Sequence, residues 1–113
     1  MALPALKEIA VSDDVEIMAR NAYEASEFLK ALAHEGRLVI LCVLSEGEKT
    51  VGDLGAILAQ RQSNVSQQLA RLRLDGLVTT RRDGKNVYYR LANSEIRPIL
   101  DAIHCVFCDG RRD

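Results

Sequence analysis

No stretch of eighteen apolar residues occurs in this 113-residue chain, so no segment reads as a membrane-spanning helix. The opening residues, "MALPALKEIAVSDD", lack the positive n-region, apolar h-region and small-residue cleavage site of a secretory leader. The expected location is therefore the cytoplasm, with no membrane association. Cysteine is scarce: only Cys42, Cys105 and Cys108 are present. An odd count in a reducing compartment excludes a structural disulfide framework and points to switchable thiol chemistry. No Gly-rich phosphate loop, nucleophile–base pair or cofactor motif stands out, which argues against an enzyme and implies no cofactor. Neither an internal repeat nor a low-complexity tract divides the chain. Its length fits one domain over residues 1–113, with 1–13 and 109–113 as loose tails.

Net charge is also nearly absent, at −1, and taken alone this speaks against a nucleic-acid partner. Its distribution reverses the impression. Residues 1–60 carry 5 Lys+Arg against 10 Asp+Glu, residues 61–90 carry 7 against 2, and residues 91–113 carry 3 against 4. The middle block is thus +5 (7 − 2) in an otherwise acidic chain.

The periodicity predicts mainly helical structure with one hairpin. From Asp14, apolar residues Val15, Met18, Ala22, Ala25, Leu29 and Leu32 recur at spacings of three and four, and Ser12, Asp13 or Asp14 can cap that helix. The run Leu38 to Leu44 predicts a second helix buried on most sides, stopped by Gly47. Thr50 caps a short third helix, with Asp53 completing a capping box. A fourth helix over "QRQSNVSQQLARLRLDG" places Val65, Leu69, Leu72 and Leu74 in one stripe and ends at Gly76. Asp83-Gly84 between "LVTTRR" and "NVYYRL" signals a β-hairpin. Ser94 caps a last helix that carries Pro98 in its first turn, where proline costs least. The order is α-α-α-α-β-β-α.

Two short helices on a tight connection, the second polar and followed by a basic hairpin, describe a winged helix-turn-helix whose second helix enters the major groove. Gln and Asn pair with adenine edges, and Ser contacts bases or phosphates. The candidate groove-facing residues are Gln62, Ser63, Asn64, Ser66, Gln67 and Gln68. Arg61, Arg71, Arg81, Arg82 and Lys85 are the candidates for neutralising phosphates of double-stranded DNA.

The segments "ALAHEGRLVILCVL", "SNVSQQLARLRLDGLV" and "TRRDGKNVYYRL" resemble the corresponding motifs of the ArsR/SmtB family of winged-helix repressors, over about residues 24–108. Glu35 departs from a usual proline. Gln68 departs from a common histidine, a change that bears on base preference. The resemblance implies a homodimer joined through its first and last helices, bound to an imperfect palindrome and released by an inducer.

Three roles are open for the thiols. Soft thiolate and imidazole ligands at His104, Cys105 and Cys108 suit a metal or metalloid. However, the cysteine-rich site that family members carry on an earlier helix is absent from "TVGDLGAIL", and the last-helix zinc pattern is largely missing. "CVFC" ends a helix, where the dipole disfavours a thiolate, so thioredoxin-like exchange is excluded. Cys42 alone reads as core packing. The sulfide-responsive, SqrR/BigR-like branch of the family has one cysteine in the second helix and one in "FC" ending the last. That resemblance implies Cys42 and Cys108 as a redox sensor that persulfide or polysulfide bridges, with release of DNA. Cys105 is then an auxiliary thiol or a bystander, and His104 an exposed polar residue or a tuner of a neighbouring thiolate. The alternatives are a metal-responsive repressor, a general peroxide sensor, and an interaction module that has lost DNA binding.

Overall fold

The structure, a computed structural model, describes residues 10–92 and 95–108. The element order is α1 (Asp13–Leu32), α2 (Glu35–Ser45), α3 (Val51–Leu58), α4 (Gln62–Leu74), β1 (Val78–Asp83), β2 (Asn86–Leu91) and α5 (Ile96–Phe107). The order matches that expected from the sequence. Asp13, expected in the loose N-terminal tail, is instead the first residue of α1, because the Ser12 hydroxyl accepts the Val15 N–H and starts the helix there. Ser94, expected to cap the last helix, lies outside the described residues, as do residues 1–9 and the tail 109–113.

The chain divides into two compact units, residues 1–33 and 34–113. The first is α1, a twenty-residue helix with acidic residues Asp13, Asp14 and Glu16 in its first turn and Lys30 in its last, both favourable to the helix dipole. Its expected apolar stripe is largely uncovered: Val15, Met18 and Leu29 are exposed, and Leu32 is buried.

The second unit packs α2 against α4, α5 and β2, and α3 against α4 and β2. Its core comprises Ile40, Leu41 and Leu44 of α2, Leu54 of α3, Val65, Leu69 and Leu72 of α4, Val78 of β1, and Ile96 and Leu100 of α5. Each fully buried side chain of this kind contributes about 1.5–3 kcal/mol. Two sequence expectations are corrected here. The run Leu38 to Leu44 is buried on one face only, with Val39 at 42% exposure, because its uninterrupted apolar sequence carries no information about which face finds a neighbour. Leu74 leaves the α4 stripe at 80% exposure, since two residues past Leu72 is a rotation of about 200° around the helix.

Two helix ends position the reading surface, and they share one design. At the end of α4, Leu77 N–H bonds Leu72 C=O and Gly76 N–H bonds Arg73 C=O, at 2.9 and 3.0 Å, with Gly76 at φ +76°. At the end of α3, Gln60 N–H bonds Gly55 C=O and Ala59 N–H bonds Ala56 C=O, at 3.0 and 3.4 Å, with Ala59 at φ +53°. Both are Schellman motifs, in which a left-handed residue lets the chain turn away while satisfying the last carbonyls. α3 begins with the expected capping box: Thr50 Oγ1 accepts the Asp53 N–H and Asp53 Oδ2 accepts the Thr50 N–H, at 3.0 and 3.2 Å.

The strands pair antiparallel from Val78↔Leu91 to Asp83↔Asn86, so the two turn residues are Gly84 and Lys85, one position later than the Asp83-Gly84 signal suggests. Gly84 takes the positive φ, +62°, that the first position of a tight hairpin requires. The Lys49 and Tyr89 backbones exchange hydrogen bonds at 3.0 and 2.8 Å, tying the hairpin to the segment before α3.

Candidate functional site

α3 and α4 are joined by the turn 59–61, and α4 begins at Gln62 with Arg61 as an N-cap lacking a side-chain cap. Val65, Leu69 and Leu72 fix the inner face of α4, and at 100° per residue the outer face then carries Ser63 and Gln67, flanked by Asn64, Ser66 and Arg71. All five are exposed, as is Arg61. The other two glutamines lie at the margins of this face, Gln62 exposed and Gln68 half-buried. Gln62 turns toward α3, where a Cβ built on Gly55 would meet its Cγ at 3.4 Å. Gln68 is half-buried on the α2 side, its Nε2 4.0 Å from a Cβ built on Gly36. Both sit within about 60° of the buried stripe, which the amphipathic reading did not resolve.

On the hairpin, Arg82 and Lys85 are exposed near the tip. Arg81, the third candidate phosphate contact on the hairpin, is paired with Glu48. Its Nε lies 2.8 Å from both carboxylate oxygens of Glu48, its Nη2 bonds Glu48 Oε1, and its guanidinium stacks 4.6 Å from the centroid of the Tyr88 ring. The Arg81 hydrogen bonds hold the Glu48 carboxyl below the usual carboxylate range. Arg81 is therefore engaged as a brace between the hairpin and the loop before α3. Sequence reading missed Glu48, 33 residues away, because nothing local couples them. It also passed over Arg90, which is exposed on β2.

A second constellation links α2 to α4. Arg37 Nη1 lies 3.8 Å from Asp75 Oδ2, with side chains only 15% and 25% exposed, and Arg71 Nε lies 3.3 Å from the same oxygen. Arg37 Nε is buried with no hydrogen-bond partner among the described residues.

The thiols occupy the opposite side of α2. A cleft of about 700 Å³ between α2 and α5 is lined by both Cys42 and Cys108, with Val39, Val43, Ile103 and Phe107 among its apolar walls. Burial pushes the Cys42 thiol above its ordinary range, and the Cys108 thiolate adds to that shift. The two side chains line the same cleft although they are 66 positions apart (108 − 42). Cys42 is half-buried rather than core, while Cys108 is exposed at the end of α5. Cys105 is half-buried one residue round the helix from His104 and does not line the cleft, whereas exposed His104 does. Ser45 Oγ donates to the Cys42 carbonyl at 2.6 Å, and Arg97 Nη1 donates to the Ser45 carbonyl at 2.7 Å, bracing α5 against the end of α2. Among the described residues no group of three His, Cys, Asp or Glu side chains is arranged to hold a metal ion, so His104, Cys105 and Cys108 do not form one.

A polar-faced second helix set on a tight turn and followed by a braced basic hairpin defines a winged helix-turn-helix, a DNA-reading class of protein. Residues 34–80 match the profile of the family described as "Bacterial regulatory protein, arsR family". The transcriptional activator HlyU of Vibrio cholerae serotype O1 is 39% identical over 99 residues, covering 88% of this chain and 92% of that protein. The biofilm growth-associated repressor of Agrobacterium fabrum is 44% identical over 91 residues, covering 80% and 78%. The crystal structure of the transcriptional repressor BigR from Xylella fastidiosa superposes with a TM-score of 0.75 at 37% identity, covering 88% of this chain and 98% of that one. The chain belongs to the arsR family of winged-helix transcriptional regulators, not to an enzyme family. No helix of the described residues is long and apolar enough to cross a membrane.

Proposed function

We propose that this regulator is a cytoplasmic, homodimeric repressor that binds an imperfect palindrome through α4 and the hairpin. Reactive sulfur species release it by bridging Cys42 and Cys108. The observation that carries the switch is the convergence of these two thiols, from α2 and α5, on one apolar cleft. The exposed apolar side chains Met18 and Leu29 of α1, and Val106 and Phe107 of α5, support dimerisation through those helices. A two-fold dimer presents two copies of α4 to a symmetric site, with Ser63, Asn64, Ser66 and Gln67 as base readers and Arg61, Arg71, Arg82 and Lys85 as phosphate contacts.

The chemistry divides between the two thiols according to exposure. Cys108, the exposed one, meets the inducer first: its thiolate attacks the terminal sulfur of a persulfide RSSH, forming Cys108–SSH and expelling RS⁻. Cys42, deprotonated in turn, attacks Cys108 Sγ, closes the S–S bond and expels HS⁻. Two thiols are oxidised, and one persulfide is reduced to RSH and H₂S. A four-sulfur bridge takes three equivalents: two RSSH load a sulfur onto each thiol, and a third oxidises the resulting pair.

Mass spectrometry of the reduced protein after persulfide, hydrogen peroxide or zinc, read with DNA binding, tests this function. Persulfide should bridge Cys42 to Cys108 and weaken DNA binding, and Cys42→Ser or Cys108→Ser should bind DNA but not respond. A normal response in either variant, or equal bridging by peroxide, refutes the persulfide sensor.

A further inference from the structure

The cleft with the two thiols lies on one face of α2, and α4 and β2 pack elsewhere on the same helix, so the α2–α4 contact is a direct route from Cys42 to the reading helix. Most of that contact is hydrophobic, with Ile40, Leu41 and Leu44 of α2 and Leu69 and Leu72 of α4 buried in one core. Apolar packing is non-directional and does not by itself distinguish two charge states at the DNA surface. The polar link is different. Asp75 Oδ2 is shared by two cations: Arg37, on α2 five residues before Cys42, and Arg71, on the exposed side of α4. One carboxylate oxygen cannot fully neutralise both. Arg37 also carries a buried, unpartnered Nε, so its present seating leaves part of its hydrogen-bonding capacity unused.

We propose that Asp75 gates Arg71 according to the position of α2. This rests on the reading of Cys42 and Cys108 as the sensor. In the reduced protein Asp75 Oδ2 is divided between Arg71, at 3.3 Å, and Arg37, at 3.8 Å, so its hold on the Arg71 guanidinium is weakened and a phosphate can compete for it. When bridging draws Cys42 toward Cys108, α2 moves as a rigid unit and carries Arg37 off Asp75. The carboxylate then closes fully on Arg71, its neighbour one turn earlier on the same helix. A phosphate contact is lost from each half-site without any change in the base-reading residues. Asp75 and Arg37 are positioning residues: they act on DNA through Arg71.

The salt dependence of DNA binding distinguishes this gate from a merely structural pair. The probe is a duplex palindrome selected from random sequence by the reduced dimer, titrated against reduced protein and protein oxidised with sodium tetrasulfide. Loss of two Arg71–phosphate contacts per dimer should flatten the slope of log affinity against log salt by about 1.8 in the oxidised wild type. Asp75→Asn cannot hold Arg71, so its oxidised form should keep the slope of its reduced form, with the oxidised-to-reduced Kd ratio falling at least fivefold below that of wild type. Arg37→Gln should do the opposite: Asp75 holds Arg71 permanently, and the reduced protein already shows the flatter slope. Asp75→Glu should restore gating. The two variants predict opposite outcomes, so either one that folds decides the question. An oxidised-to-reduced slope difference equal to wild type in Asp75→Asn, or a steep slope in reduced Arg37→Gln, overturns the gate and leaves the sensor standing. A wild type whose affinity is unmoved by tetrasulfide removes both.

Discussion

Ala59 occupies a conformation that Gly76 occupies in the same motif one helix later, which makes Ala59→Gly a direct test of how the helix-turn-helix is held. An L-residue in the left-handed region costs about 1–2 kcal/mol. Glycine removes that cost but adds about 0.5–1 kcal/mol through the greater freedom of the unfolded chain. The net expectation is a gain of about 0.5–1 kcal/mol, which for a domain of this size raises Tm by about 2–8 °C. Ala59 is exposed and its neighbours' hydrogen bonds are backbone to backbone, so nothing else should be lost. Urea denaturation at constant m, alongside a thermal scan, measures the change. Ala59→Val is the control: a β-branched side chain at φ +53° should destabilise the turn, and both variants should leave the preferred palindrome unchanged. An unchanged or lower stability in Ala59→Gly would show that the turn is not strained, and that the reasoning from Gly76 fails.

Three further outcomes are expected. Replacing Gln67 by Ala should weaken binding at particular base pairs by about 1–3 kcal/mol, whereas Arg82→Ala should weaken all sequences and flatten the salt slope; competition titrations with variant duplexes would expose the reverse pattern if the reading face is misassigned. Leu69→Ala, at a position with no solvent exposure, should cost about 2–5 kcal/mol and lower the urea midpoint, and a loss under about 1 kcal/mol would contradict its place in the core. Closure of the Cys108 persulfide should accelerate with pH. Burial raises the Cys42 pKa, so its neutral thiol persists through the ordinary thiol range and the attacking thiolate increases about tenfold per pH unit above neutrality. The same shift makes folding stability fall as pH rises above the ordinary thiol pKa. Stopped-time mass spectra giving a flat pH profile would exclude Cys42 as the closing nucleophile.

What was legible in the sequence was local. Thr50 and Asp53 announce a capping box within four residues, and Val65, Leu69 and Leu72 announce a buried stripe by spacing alone; both stand in the structure. Gly76 marked the end of α4, but Ala59 carries no such mark, since alanine is the best helix former and gives no hint of a left-handed turn. What depended on distant neighbours was not legible. Glu48 pairs with Arg81 across 33 positions (81 − 48), and Asp75 joins Arg37 across 38 (75 − 37). Gln62 and Gln68 have the chemistry of base readers but lie beside the buried stripe, Gln62 still exposed and Gln68 half-buried. The sequence of Cys42 reads as core, and only the arrival of α5 turns its surroundings into a cleft.

The distance along the chain between the two thiols that share that cleft has a consequence for how long the regulator survives. A covalent bridge from residue 42 to residue 108 closes a loop of about 66 residues and, by its effect on the unfolded chain, stabilises the fold by about 4 kcal/mol. Proteases act mainly on transiently opened protein, whose population falls with that gain. The silenced form would then be the long-lived one. A cell recovering from sulfur stress would restore repression by reducing an existing pool of regulator, without waiting for new synthesis.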